Sequence, residues 1–293
     1  ELVLSVYGDR FWVFHKKTGS IREMTVNDAA INYQMKFTGR ALNVINEADG
    51  KILIVGNTVN RYNRQSCKCT PIYPDDGSKI YGNILPMGHT EEGVWFHSSK
   101  SLYLLTTGAL SLKAIGNITE DSQIRCGRVD DQNRIWLATT TGVKLFDIGT
   151  SSFQNIDTNL FSEASSIICD RNGRVWIGTN EHLYAYITES GNFAMFGSSD
   201  GASPNEFLSK PCLLARNGDI YMGGVSGLLY VDATYEVDTS EEPVVMLSQV
   251  TVDGDRLMPD RKGTYRMPRH AKEITIRSST REKDIFRKKV YRF

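Results

Sequence analysis

The chain has 293 residues, 40 % of them hydrophobic and 10 % aromatic, with 34 basic against 34 acidic side chains. That composition excludes a disordered protein and leaves room for one large or two modest domains. No stretch reaches the roughly 18 consecutive apolar residues of a membrane helix, and Glu1 to Val6 is too short for a secretory core, so the sequence reads as a soluble chain that starts mid-protein or after processing.

In chain order, one short phrase returns six times: GDRFWVF, DGKILIV, EGVWFHS, NRIWLAT, GRVWIGT and GDIYMGG. Its anchors are Trp12, Leu53, Trp95, Trp136, Trp176 and Tyr221, spaced by 41, 42, 41, 40 and 45 residues, and they include all four tryptophans. Self-similarity at this period, built from short β-type runs, is the signature of propeller blades, which bury their faces against one another. A Gly or Asn at positions 50, 93, 133, 173 and 218 supplies the positive φ of a hairpin turn, and the polar residue before it can close an Asx-type bond. The bulky residue that follows is expected in the gap between blades, as packing rather than as a ligand platform.

The fourth repeat parses into four strands: Gln123 to Val129, Arg134 to Thr139, Val143 to Phe146, and an outer strand through Phe153 to Ile156. The fifth repeats the pattern with Ser166 to Cys169, Arg174 to Thr179, His182 to Tyr186 and Phe193 to Phe196. Near Asp232 the rhythm breaks. Thr239 to Pro243 reads as a polar linker, PVVMLSQVTVDGDRL as a strand with a hairpin at Asp253-Gly254, and EITIRSS and KKVYRF as two further strands. That second unit stops at Phe293 inside an apolar run, and a β domain so small is marginal alone, so the chain is expected to end inside a domain.

From Arg256 onward the basic side chains outnumber the acidic by nine, and the preceding residues carry the matching deficit. The basic residues interleave with strand-like apolar ones, which favours a solvated β face over a tail for nucleic acid or anionic lipid. Cys126, Cys169 and Cys212 recur in the apolar run before the turn of three successive repeats and read as small core residues. Cys67 and Cys69 lack partners at zinc spacing. No Gly-x-Ser-x-Gly elbow, metal-spaced histidine pair, calcium loop or phosphate loop is present, and Asp130-Asp131 sits in a turn. Active-site residues in a propeller can come from different blades, so a lyase or glycosidase stays open as an alternative, as does an interaction propeller without a small ligand.

The repeats NRIWLATTTGVKLFD and GRVWIGTNEHLYAY resemble the two-component regulator propeller repeat. NGDIYMGGVSGLLYVD, preceded by Asn205-Glu206-Phe207, resembles the closing blade of such propellers, and the stretch from Pro243 to Val290-Tyr291-Arg292 resembles the start of the triple-tyrosine β-sandwich that follows them. Against the family pattern, Ala138 stands where Gly is usual and His182 where Gly precedes Leu183. The resemblance implies an all-β chain: about six four-stranded blades over residues 1–238, part of a seven-bladed ring, then a linker and a truncated β-sandwich over 239–293. It further implies the periplasmic sensor region of an inner-membrane hybrid two-component protein of gut Bacteroidetes, homodimeric when complete, whose histidine kinase and DNA-binding regulator lie outside these residues. The covered region is then non-catalytic, with no cofactor, no metal and no nucleic acid.

The expected ligand is an oligosaccharide. One propeller face gathers the loops after each Trp strand and those entering each blade, so the candidate ligand residues are Asn57, Ser99, Arg125, Thr140, Asn180 and Asn205. Polar side chains with an occasional Arg suit a sugar, including an acidic one.

Overall fold

The computed structural model describes residues 2–6, 10–23, 25–26, 29–30, 43–47, 50–80, 82–156, 158–197, 200–202, 206–237, 244–260 and 263–281. Asn205, the linker Thr239 to Pro243 and the KKVYRF segment lie outside them.

Among the described residues the chain is built from strands, as the short alternating runs require. The first unit is three-stranded: β1 (Leu2–Val6), β2 (Arg10–Phe14) and β3 (Ile21–Glu23). A two-stranded pair, β4 (Thr25–Val26) and β5 (Ala29–Ala30), follows. The second unit is β6 (Asn43–Asn46), β7 (Lys51–Val55), β8 (Val59–Asn63) and β9 (Lys68–Pro74). The third is β10 (Leu85–Thr90), β11 (Gly93–His97), β12 (Ser101–Thr106) and β13 (Ser111–Asn117). The fourth comprises β14 (Ile124–Val129), β15 (Arg134–Thr139), β16 (Gly142–Asp147) and β17 (Ser152–Ile156). The fifth comprises β18 (Ser166–Cys169), β19 (Arg174–Gly178), β20 (Leu183–Ile187) and β21 (Asn192–Phe196). The sixth is β22 (Phe207–Leu214), β23 (Ile220–Gly224) and β24 (Gly227–Val231). Last comes a sheet in the order β26-β25-β27, from β25 (Val244–Val252), β26 (Asp255–Leu257) and β27 (Ile274–Arg281).

Two details differ from the expected uniform set of four-stranded sheets. The first and sixth units have three strands among the described residues, and the second and third fuse into one eight-stranded sheet. The join is a short parallel ladder between the outer strands, Tyr73 opposite Ser111 and Pro74 opposite Leu112. It is extended where Asp75 N–H donates to Leu112 O at 2.8 Å and Asp75 Oδ1 accepts from Ala114 N–H at 3.1 Å.

The anchors do what the period implies. Each strand alternates its side chains between two faces, so Trp136 looks toward the following unit while its neighbours Ile135 and Leu137 look back toward the preceding one. Trp136 packs with Ile167, Val175 and Ile177, and its ring lies 5.6 Å from that of Tyr186. Trp95 packs likewise with Ile135, Leu137 and Phe146. Trp176 packs with Phe207, Ile220 and Met222. Trp95, Trp136 and Trp176 are at most 2 % exposed, whereas Trp12 and Tyr221 are half-buried. The turn residues Gly50, Gly93, Asn133, Gly173 and Gly218 all have positive φ, as expected. At Gly93 a Cβ would also strike Leu105 O at 2.1 Å.

Four successive junctions share one backbone hydrogen bond. The amide entering each new unit donates to a carbonyl at or just past the end of the anchor strand of the previous one: Ile84 to Gly56 at 2.7 Å, Ile124 to Ser99 at 2.7 Å, Ala164 to Thr139 at 2.9 Å and Phe207 to Thr179 at 3.1 Å. These bonds set the first strand of each unit beside the next, so that β10, β14, β18 and β22 neighbour one another in turn. In the last sheet, the hairpin at Asp253-Gly254 forms as expected, with both residues at positive φ.

Candidate functional site

The loops entering β18 and β14 meet the β19–β20 turn at the fourth-to-fifth junction. Arg125 opens β14 where the register with β15 shifts between Ile124 and Cys126. A bulge of this kind re-aims the side chain it carries. The Arg125 guanidinium donates to Glu163 Oε2 at 2.8 Å and to Ser165 Oγ at 3.2 Å. The other Glu163 oxygen accepts from Asn180 Nδ2 at 2.5 Å, and Ser165 Oγ donates to Asn180 Oδ1 at 3.3 Å. Arg125 and Glu163 are each about a third exposed, at 34 % and 33 %, so the network is held in shape yet still open to a solute.

Beside it lies a cleft of about 760 Å³, bounded by Phe161, Glu163, Asn180, His182, Tyr184 and Phe193 among others. Its floor is aromatic: the Phe161 ring sits 4.8 Å from Tyr184 and 5.9 Å from Phe193, and His182 is 6.1 Å from Tyr184. Tyr184 is buried and donates through its hydroxyl to Leu160 O at 3.2 Å, so the floor is fixed. Thr179 shapes the turn above it. Its hydroxyl donates to His182 O at 3.0 Å and accepts from the amides of Glu181 and His182. Apolar ring faces beside hydroxyl, amide and carboxylate groups match the two sides of a sugar ring, one C–H lined and one hydroxyl lined.

Of the sequence candidates, the structure brings Arg125 and Asn180 into one network. Thr140 is tied to Gln123, whose amide donates to Thr140 Oγ1 at 2.9 Å while Thr140 N–H donates back to Gln123 O at 3.0 Å. Ser99 serves the junction through its carbonyl, and Asn57 lies between β7 and β8 in another unit. Sequence reasoning missed Phe161, Glu163 and Ser165. Counting one repeat on from Gln123 and Arg125 lands on Glu163 and Ser165, so the period itself carried the signal. Asp130, set aside above as a turn residue, does close a turn, with Oδ1 accepting from the Gln132 and Arg134 amides at 2.9 Å each. Among the described residues no group of three or more His, Cys, Asp or Glu is placed to hold a metal ion, and no helix is long and apolar enough to cross a membrane.

Residues 160–181, which include Phe161, Glu163 and Asn180, match the family described as two-component regulator propeller. No curated protein matches the chain. Among solved structures, the chain is similar to the extracellular domain of BT3049 from B. thetaiotaomicron, described as a hybrid two-component system, with 18 % identity over 92 % of this chain and 38 % of that one and a TM-score of 0.59. It is similar also to the extracellular domain of BT4673 from the same organism, at 17 % identity over 82 % of this chain and 32 % of that one, TM-score 0.54. The WD40 β-propeller domain of Doa1 matches at 14 % identity over 78 % of this chain and 73 % of that domain, TM-score 0.52. The chain thus spans about a third of the length of the two B. thetaiotaomicron domains. At such identities the likeness speaks for the fold: this is an all-β chain with several four-stranded units that matches β-propellers, and its residues 160–181 match the two-component regulator propeller family.

Proposed function

We propose that the chain is part of the periplasmic ligand-sensing region of a hybrid two-component signalling protein and that its ligand is an oligosaccharide. The observation that carries this reading is the coincidence of the regulator-propeller repeat with the aromatic-floored cleft at the same residues. A ligand shifts a signalling equilibrium only by the difference in its affinity for the two states, so it must bridge parts that can move apart. The polar network beside the cleft meets that condition: Arg125 belongs to one unit, and Glu163 and Asn180, which also border the cleft, to the next.

In this reading residues 1–238 are blades of a seven-bladed ring and residues 239–293 begin a β-sandwich that acts as the output lever toward a transmembrane histidine kinase. The sheet of β25, β26 and β27 supports that role by its separate pairing. The complete protein is a homodimer, coupled through its membrane-proximal parts. Calorimetry with a panel of plant and host glycan fragments tests the reading. A saturable, product-free response that Phe161→Ala abolishes supports it. Silence across the panel, or turnover of a fragment, rejects it.

A further inference from the structure

A second cavity, about 970 Å³, lies along the first strands of the units, bordered by parts of β6, β10, β14 and β22. Its wall is mostly apolar, with Ile45, Met87 and Leu213, yet it holds two cationic side chains, Arg128 and Lys210. Arg128 reaches across it from β14: Nη1 donates to Gly127 O at 2.7 Å and contacts Cys126 Sγ at 3.7 Å, and Nη2 donates to Cys212 O on β22 at 3.1 Å. All three acceptors are neutral groups or a thiol. Among the described residues no carboxylate pairs with Arg128. Its Nε–H and one Nη2–H, the side-on edge that suits a two-oxygen acceptor, have no partner among them.

Among the described residues, no free carboxylate faces the open edge of Arg128. Glu47 also borders the cavity, but both its oxygens are taken by Arg61, at 2.6 and 2.8 Å. Burial pushes the Cys212 thiol up to about 12 and holds Cys169 well above its usual range, so both stay protonated at neutral pH. Burial and the Arg128 charge hold the Lys210 ammonium below its ordinary value. His97, buried nearby, is pushed down to about 4 by burial, with the Arg128 and Lys210 charges adding to the effect. Arg128 is half-buried and Lys210 is exposed, so an anion entering from solvent can reach both, and each cation attracts it.

We propose that this cavity is an oxyanion site, in which a carboxylate or sulfate group of a small ligand binds between the Arg128 guanidinium and the Lys210 ammonium. The proposal goes beyond the sensing reading. A cavity that takes anions while the rim cleft takes no glycan leaves it standing, and the reverse leaves the sensing reading standing.

The test uses the whole chain and four probes at millimolar concentration: trigalacturonate, a sulfated disaccharide, inorganic sulfate and neutral maltotriose. Binding is read by calorimetry and by the His97 imidazole NMR signals. The expected result is saturable binding of at least one anionic probe, a shift of His97, and a loss of about tenfold in affinity in Lys210→Gln. Lys210→Gln should melt as the parent does, and Phe161→Ala should leave anion binding unchanged. Preference for trigalacturonate identifies a carboxylate ligand, and preference for the sulfated probes a sulfate. Because Arg128→Gln removes ties between strands and can unfold the chain, Lys210→Gln decides. Failure of every anion to saturate, or affinity in Lys210→Gln equal to that of the parent, overturns the proposal.

Discussion

Replacing Asp170 by Ala probes how the turn before the anchor strand is pinned within one unit. Asp170 Oδ1 accepts from the Asn172 and Arg174 amides at 2.8 and 2.9 Å, and Oδ2 from Arg174 Nε at 2.5 Å and Trp176 Nε1 at 2.9 Å. The pair is buried, with Asp170 3 % and Arg174 9 % exposed, and the guanidinium also lies 5.4 Å from the Trp176 ring. Removing one partner of a buried ion pair leaves an uncompensated charge, so Asp170→Ala should cost about 3–5 kcal/mol. Asp130 makes the same four contacts in the preceding unit, but its Arg134 is 25 % exposed and water can take over part of the lost bonding. Asp130→Ala should therefore cost less, about 1–3 kcal/mol. Urea unfolding followed by tryptophan fluorescence measures both. The double variant Asp170→Ala with Arg174→Met should be more stable than Asp170→Ala alone, because no orphan charge remains. Equal costs at Asp170 and Asp130, or strict additivity of the double variant, would refute the reasoning.

Gly178→Ala would place a Cβ 2.4 Å from Ser166 Oγ and 2.6 Å from Phe207 Cβ, forcing β19 away from the next unit; a loss of about 1–3 kcal/mol in the same unfolding assay is expected. The matched change Ala138→Gly should cost no more than about 1 kcal/mol, since it opens space in a strand rather than filling it. His97 is neutral in the fold and pushed down to about 4, so the unfolded chain binds its proton first. Its contribution is present above pH 6.5 and is lost as the pH falls toward 4, by about 3 kcal/mol in all. His97→Gln should flatten the stability profile across that window, and an unchanged slope would remove His97 as its cause. Arg125→Ala should weaken glycan binding while shifting the melting temperature little, because the ion pair it breaks is a third exposed.

The parts of the fold that were legible in the sequence are those in which one residue type answers one local demand. Trp136 and Trp176 announce the gap between units because a large ring there buries the most area, and Asn133, Gly173 and Gly218 announce their turns because those turns need positive φ. Gly178 is a further case: the Gly-Thr pair of the repeat leaves room for Phe207 of the next unit, which the period marks but cannot explain. The parallel join of β9 to β13 was invisible, since it rests on backbone groups and one Asp75 carboxylate with no characteristic spacing. The cavity cations were hidden for another reason. Arg128 and Lys210 lie 82 residues apart, on first strands of units that are not consecutive, and nothing in either strand's own pattern marks a side chain that borders a shared cavity.

The two sites lean on one strand. β14 carries Arg125 at its bulged start, reaching the loop before β18, and Arg128 four positions from the strand's beginning, reaching Cys212 O on β22. Between them Cys126 is fixed: its thiol points at Ile167 O, 3.7 Å away, the same carbonyl that Cys212 Sγ approaches at 3.6 Å. The blade junctions themselves are sealed by a backbone bond and a close-packed core, and close-packed cores switch between arrangements rather than deform smoothly. Ligand-driven change at the rim should then appear as movement of the loop at 160–165 against a stationary β14. In that case occupancy of the inner cavity alters the rim's affinity through strand position only weakly, and the two sites bind nearly independently. A calorimetric titration of glycan in the presence and absence of saturating anion measures the coupling: a ratio of affinities near one fits a rigid β14, while a change of fivefold or more, about 1 kcal/mol, means that the strand itself moves.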